Sequence, residues 1–359
     1  MFLPSPLVLR LSCALLSAAL CAFFLTPSAG SLALRLGAVD QPGEKRKIHT
    51  RATPRLGGAA IAAGFFISSL AFTVPSPVLS GVLRGALLVA LMGAADDCFS
   101  LRAPLKLGMQ LLAALLAWRA GARIEVLSLP FAGGRFISIG AWGQPLTLLW
   151  MLVCTNAVNL IDGLDGLASG VTAIGALSLL LVAAAVGESE IAVLLAALAG
   201  GCLGFLPHNR CPARIFMGDT GSQLLGFVLG AASTVGMFKS HAALSFFVPL
   251  LALGLPLFDT AFAFSRRALH GENPLRADRG HIHHRLLDRG LGQRGAVALL
   301  DGVSALLGLT AVLLALRGGA ARILAALLMT AAAWAALALI RARALALRRR
   351  KRLKQEHGA

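Results

Sequence analysis

The sequence is poor in charge, and poorest in negative charge. Of its 359 residues only 16 are Asp or Glu, and only 14% are charged at all. A soluble domain of this length needs about a quarter of its residues charged to cover its surface. A water-soluble fold is therefore excluded. Tyrosine is absent, and no functional consequence follows from that. The cysteines, Cys13, Cys21, Cys98, Cys154, Cys202 and Cys211, are scattered in or beside apolar runs. They have neither metal-ligand spacing nor the layout of a disulfide framework. No soluble domain and no long flexible linker is legible.

What is present is apolar sequence, 57% of the chain. Leu- and Ala-rich runs of roughly 17 to 22 residues recur from end to end, the length a helix needs to cross a bilayer. Such runs read as helices rather than as the alternating strands of a barrel. Spans are expected near 7–26, 56–74, 81–96, 104–120, 144–161, 167–186, 190–206, 221–238, 243–265, 296–316 and 320–341. The first has the length of a retained span and a poor basic flank for a signal peptide. The fold class is thus all-α: a polytopic integral membrane protein of about eleven transmembrane helices. Residues 124–139 add a small periplasmic β-hairpin, because two β-prone runs flank Ala132-Gly133-Gly134. One multi-span catalytic domain (1–340) precedes a basic cytoplasmic tail (341–359).

Net charge is +17, and 25 of the 33 Lys and Arg fall in alternate loops and the tail. The positive-inside rule makes that side cytoplasmic, with the N-terminus outside and the C-terminus inside. Arg10 then lies on the outer side. The tail run Arg348-Arg349-Arg350-Lys351-Arg352-Leu353-Lys354 reads as facing anionic lipid rather than nucleic acid. Eleven of the sixteen acids, Asp96, Asp97, Asp162, Asp165 and Asp219 among them, fall on the same inner side, several at span ends. Charge there is costly unless paired or functional. Only Asp259 is read as lying clearly inside a span. A transporter would place its carboxylates deeper, and a scaffold would not need them.

Five clusters define a candidate site. Gly93-Ala94-Ala95-Asp96-Asp97 with Lys106 pairs carboxylates with a cation; adjacent helical residues point about 100° apart, so the two acids need not share a ligand. Asn156, Asn159, Asp162 and Asp165 recur every third residue and stay near one helix face. Asparagines in an apolar span need partners. Phe216-Met217-Gly218-Asp219-Thr220-Gly221-Ser222 opens a span. Its free N–H groups are expected to face a phosphate, Asp219 to hold Mg2+, and Phe216 to stack on a base or simply to pack. Asp278-Arg279-Gly280-His281-Ile282-His283-His284-Arg285 mixes histidines with arginines. Zinc could use His281 and His284, one turn apart, but the cationic setting favours a phosphate. Last, Asp40-Gln41-Pro42-Gly43-Glu44-Lys45-Arg46-Lys47-Ile48-His49 leads to Pro54-Arg55-Leu56-Gly57-Gly58.

In this order the clusters resemble the polyprenyl-phosphate N-acetylhexosamine-1-phosphate transferases, the MraY/WecA-type family. The resemblance runs from Val39 to Arg294 and includes P-x-x-D-T at Pro256 to Thr260. The branch acting on MurNAc-pentapeptide carries three consecutive histidines; His281-Ile282-His283-His284 looks instead like the branch using UDP-GlcNAc or a related UDP-N-acetylhexosamine. A CDP-alcohol phosphotransferase would need D-G-x-x-A-R, which Asp165-Gly166-Leu167-Ala168-Ser169 breaks. The resemblance implies attack of undecaprenyl phosphate on the β-phosphate of the donor, with release of UMP, to start a cell-envelope polysaccharide such as O antigen, teichoic acid or capsule. It implies Mg2+, or Mn2+ in its place, on Asp219. It implies catalytic roles for Asp96, Asp97, Asp162, His281, His283 and His284. Lys106, Asn156, Asn159, Asp165, Phe216, Arg279, Lys47 and His49 would bind substrate. The expected partners are the nucleotide sugar, the polyprenyl phosphate and membrane lipids, with no nucleic acid; a homodimer is left open.

Overall fold

The computed structural model describes residues 5–41, 52–128, 136–236, 247–269, 281–316, 323–325 and 327–334. Lys47, His49, Arg279 and the basic tail lie outside these residues.

Helix α1 runs Pro6–Leu36, capped by the Ser5 hydroxyl and ended by Gly37 at φ 72°. It extends ten residues past the expected end of the first span and passes through Pro27. Proline lacks the N–H that would bond the Phe23 carbonyl. His208 Nε2 lies 3.1 Å from that carbonyl and donates to it instead, so the helix continues. The large side chains of α1, among them Leu16, Leu20 and Phe24, face outward, while Ala14, Ala18, Ala22 and Ala33 are fully buried. This inverts a soluble helix: small residues let backbones approach, and large ones meet lipid.

Strands β1 (Val39–Asp40) and β2 (Thr53–Pro54) pair antiparallel, an element the expected loop did not contain. Helices α2 (Gly57–Phe72), α3 (Pro77–Phe99) and α4 (Ala103–Arg119) follow. Strands β3 (Val126–Ser128) and β4 (Phe136–Ser138) then pair antiparallel at the expected position. Next come α5 (Gly143–Ile161), α6 (Leu167–Ala185), α7 (Ser189–Asn209) and α8 (Gly218–Gly236). The expected single span 243–265 is instead broken into α9 (Phe247–Ala252) and α10 (Gly254–Leu269). Pro256 cannot donate to the Ala252 carbonyl, which ends α9 at that residue. Short α11 (Ile282–Asp288) and long α12 (Gln293–Leu316) complete the labelled elements.

Among the described residues, six helical segments are long and apolar enough to cross a membrane: Pro6–Leu36, Pro77–Phe99, Gly140–Ile161, Leu167–Ala185, Ser189–Asn209 and Gln293–Ala315. Gly57–Phe72 and Ile323–Trp334 are shorter apolar helices. Helices α6, α7 and α8 form the centre; Leu194, Leu195 and Leu225 are fully buried there. Asp301 lies inside α12, which corrects the expectation that Asp259 alone sits within a span. Its carboxylate is accommodated against the backbone of Gly170, which has no side chain to block it. All six cysteines are unpaired thiols.

Candidate active site

The site forms where the ends of α3, α4, α5 and α8 meet. Gly93 of α3 and Gly58 of α2 let the first turn of α8 approach closely. A Cβ on Gly93 would lie 2.5 Å from the Asp219 carbonyl oxygen, and one on Gly58 2.0 Å from the Gly221 nitrogen. Main-chain bonds complete the junction: Phe216 N donates to Pro54 O at 2.8 Å, and Gly57 N and Gly58 N donate to Phe216 O and Met217 O. The Pro54-Arg55-Leu56-Gly57-Gly58 segment is thus half of the frame that holds Asp219.

At the centre is one ammonium between two carboxylates. Lys106 Nζ lies 3.0 Å from Asp96 Oδ2 and 3.0 Å from Asp219 Oδ2. The other oxygen of Asp96 accepts from Leu101 N at 2.7 Å. The other oxygen of Asp219 accepts from Asn159 Nδ2 at 3.1 Å, and Asn159 also reaches Ser222 Oγ. Asp96, Lys106, Asn159 and Asp219, from four different helices, are therefore one cluster.

Asp97 points elsewhere. Its Oδ1 accepts from Asp219 N at 2.9 Å, and its Oδ2 accepts from Thr220 N at 3.0 Å and Thr220 Oγ1 at 2.7 Å. Arg55 Nη2 adds an ion pair at 3.2 Å. A carboxylate at a helix N-terminus is favoured by the orphan N–H groups and the dipole there. This corrects an expectation: the N–H groups of Asp219 and Thr220, expected to face a substrate phosphate, are taken by Asp97.

The asparagine–aspartate motif spans the end of α5 and the turn into α6. Asn156 bonds Gln110. Asp162 follows the last residue of α5, and burial, then the nearby charges of Asp219 and Asp97, push its carboxyl up to about 8. Asp165 is buried, and its Oδ2 accepts from Ala213 N at 2.9 Å. Asn209 Oδ1 accepts from Gly166 N and Ser169 Oγ, while its Nδ2 donates to Ile215 O. Asp165 and Asn209 thus dock the segment leading to Asp219 onto this turn. Phe216 is half-buried at the end of that segment.

The histidine motif reaches the same turn. The His283 ring packs on Gly163; a Cβ there would fall 2.2 Å from His283 Nε2. Burial, then the neighbouring His284, pushes the His283 imidazolium down to about 3, so this ring is neutral rather than cationic. Its Nδ1 is buried without a hydrogen-bond partner among the described residues. His281 stacks over it at 5.9 Å between ring centroids, and His284 lies 4.3 Å from it on the same measure. Asp259 orients the group: its Oδ2 lies 2.9 Å from His281 Nδ1, and its Oδ1 accepts from Ile282 N.

Asp259, to which the sequence alone gave no role, is thereby part of the site, as are Arg55, Gln110, Thr220, Ser222, Gln223 and Asn209. A signal existed for Gln110 and Gln223, because a lone amide in an apolar run is costly without a partner. Beside Asp259, a cavity of about 200 Å³ opens between α10, α11, α12 and Trp334. Leu255, Phe258, Phe262 and Leu286 line it, and Arg285 and Arg289 also belong to its lining. Among the described residues no three His, Cys, Asp or Glu side chains converge as a metal cage. Asp96 and Asp219 do converge on a cation, that of Lys106. Such a pair suits Mg2+, which takes one or two carboxylates and completes its shell with water and substrate phosphates.

Residues 79–237, which carry most of this cluster, match the family model of glycosyl transferase family 4. The chain is 37% identical over 308 residues, 86% of each chain, to a probable undecaprenyl-phosphate N-acetylglucosaminyl 1-phosphate transferase of Bacillus subtilis. It is 38% identical over 315 residues to a decaprenyl-phosphate N-acetylglucosaminephosphotransferase of Mycolicibacterium smegmatis, covering 79% of this chain and 77% of that one. To a phospho-N-acetylmuramoyl-pentapeptide-transferase of Moorella thermoacetica it is 40% identical, but over 205 residues, 54% of this chain and 64% of that one. Similarity at this level that runs through most of both chains, with a family match whose range 79–237 spans the carboxylate, asparagine and Gly218-Asp219 positions, is the mark of common descent: the chain belongs to the polyprenyl-phosphate N-acetylhexosamine-1-phosphate transferase family.

Proposed function

We propose that the protein transfers GlcNAc-1-phosphate from UDP-GlcNAc to undecaprenyl phosphate, releasing UMP. The observation that carries this reading is the Lys106 ammonium held between Asp96 and Asp219, with Asn159 as the third wall. Donor and acceptor are both anions, so neutralising charge is the main catalytic task. Lys106 serves one phosphate group; His281, His284 and Arg279 serve others. Neutral His283 contributes a hydrogen bond rather than a charge. Mg2+, or Mn2+ in its place, is assigned to Asp219, and when bound it would supply further charge neutralisation at the pyrophosphate. Lys47, His49 and Asn156 are assigned to substrate binding, and Phe216 to stacking on the uracil.

Asp96 acts here by position. Both its oxygens already hold donors. The lipid phosphate, with a second pKa near about 6, is largely a dianion at neutral pH and needs no strong base. Asp162 and Asp165 shape the nucleotide and sugar pocket. The phosphate-proximal isoprene units take the apolar cavity beside Asp259, where Arg285 and Arg289 meet the head group. We assign this site to the cytoplasmic face of the bacterial inner membrane, with the N-terminus outside, on the bias of Lys and Arg toward the loops on its side.

A second reading, transfer of phospho-MurNAc-pentapeptide, is favoured by one observation, the 40% identity to a protein of that name. The shorter overlap and the interrupted histidine run count against it.

The test follows UMP release by purified protein in detergent, with undecaprenyl phosphate, Mg2+ and a panel of UDP-sugars. Release only when lipid, metal and UDP-GlcNAc are all present is the expected result, and Asp219→Ala should abolish it. Release with UDP-MurNAc-pentapeptide alone would favour the second reading. No release with any donor, from folded protein, would overturn both.

A further inference from the structure

Two pairs of residues one helical turn apart face each other across the site. Gln223 follows Asp219 on α8, and Gln110 follows Lys106 on α4; such i, i+4 pairs share a helix face. Gln223 Nε2 donates to Asp219 Oδ2 at 2.6 Å. Its Oε1 accepts from Gln110 Nε2 at 2.8 Å. The Oε1 of Gln110 accepts from Asn156 Nδ2 at 2.9 Å, and Asn156 is further tied to the Leu152 carbonyl. Three amides from three helices therefore run head to tail into one carboxylate.

The direction of this chain is forced. Turning the Gln223 amide over would set its carbonyl oxygen against Asp219 Oδ2, two acceptors with no proton between them. Gln110 and Gln223 are 3% and 1% exposed, so bulk water does not replace a lost partner. Lys106, the other donor to Oδ2, is shared with Asp96 and its side chain is 27% exposed. Gln223 is thus the fixed donor on that oxygen, and Gln110 fixes Gln223.

We propose that Gln110 and Gln223 are positioning residues that hold the Asp219 carboxylate in its cation-binding orientation, although neither is assigned a contact with substrate or metal. The proposal rests on the reading of Asp219 as the metal ligand. Partners that orient a metal ligand without touching the metal are typically worth about 10–100-fold in metal affinity or activity.

The test measures Mn2+ affinity by electron paramagnetic resonance of the free ion, with kcat for UMP release measured alongside. Gln223→Met should raise the Mn2+ Kd by about 10-fold or more. Gln110→Met should raise it by a smaller factor and lower kcat. In the double variant the Gln110 substitution should add almost nothing, because the chain is already cut at Gln223; independent packing defects would add. Gln110→Asn, a shorter amide that keeps the site polar, provides the same comparison if the methionine variants do not fold. Parental Mn2+ affinity in the glutamine variants, or additive effects, with Asp219→Ala deficient, overturns the relay alone. Parental affinity in Asp219→Ala overturns the metal assignment and the relay with it.

Discussion

Asp162 sits at the end of α5 with its carboxyl pushed up to about 8 by burial and by the charges of Asp219 and Asp97. In the unfolded chain it titrates near 3.8. Between those values the folded state holds a proton that the unfolded state has lost, so stability falls as pH rises through this window. The penalty is complete above about pH 8. Asp162→Asn should therefore unfold at a higher temperature than the parent at pH 9, by on the order of 5 °C. The gap should shrink at pH 6, while UMP turnover is lost. Thermal unfolding in detergent at the two pH values checks this; an equal gap at both would remove the proton linkage. At this scale the acids were legible, because charge is scarce in this chain and conspicuous where it occurs. Their partners were less so. Thr220 and Ser222 look ordinary in sequence, and only the approach of α3 to α8 makes Thr220 a donor to Asp97.

Elements are held together by absent side chains as much as by present ones. In α7, Gly200 and Gly204 lie against the Leu15 and Ala19 carbonyls of α1; in α2, Gly64 lies against Ala18 O. A Cβ on Gly204 would fall 2.0 Å from Ala19 O, which is backbone and cannot swing aside. Gly204→Val should force α1 and α7 apart and cost about 1–3 kcal/mol or more. A methyl group on Gly108 would meet no atom of the described residues within 4 Å, so Gly108→Ala should be neutral or slightly stabilising. Comparing the unfolding temperatures of the two variants tests whether close backbone approach, rather than glycine as such, holds the bundle. Helix positions followed from apolar run length. Their ends did not: α1 passes Pro27 because a histidine 181 residues later supplies the missing donor. The break between α9 and α10 has a local signal in Pro256, which lies inside the expected single span 243–265.

Across the whole molecule, the two ends of the bundle differ. Arg10 of α1 pairs with Glu190 of α7 at 2.8 Å and donates to Phe72 O at the end of α2, while Glu190 accepts from Val74 N. The charge of Arg10 at this end is thus neutralised by Glu190. The Asp96–Lys106–Asp219 cluster lies at the other ends of its helices. In intact cells, a membrane-impermeant maleimide should label Glu188→Cys without permeabilisation and Arg102→Cys only after it. The reverse pattern would invert the topology.

Composition and order along the chain were enough to indicate a mostly helical, membrane-type protein and its family. These depend on local quantities: run length, residue type and spacing. Which acid does what depended on the tertiary structure. Asp96 and Asp97 are neighbours in sequence, yet helix geometry sends one to Lys106 and the other to the N-terminus of α8. Gln110 and Gln223 are 113 residues apart, and their bond exists only because α4 and α8 pack side by side. A hydrogen bond needs atoms within about 3 Å, and for residues far apart in the chain only the packing of the helices brings them that close.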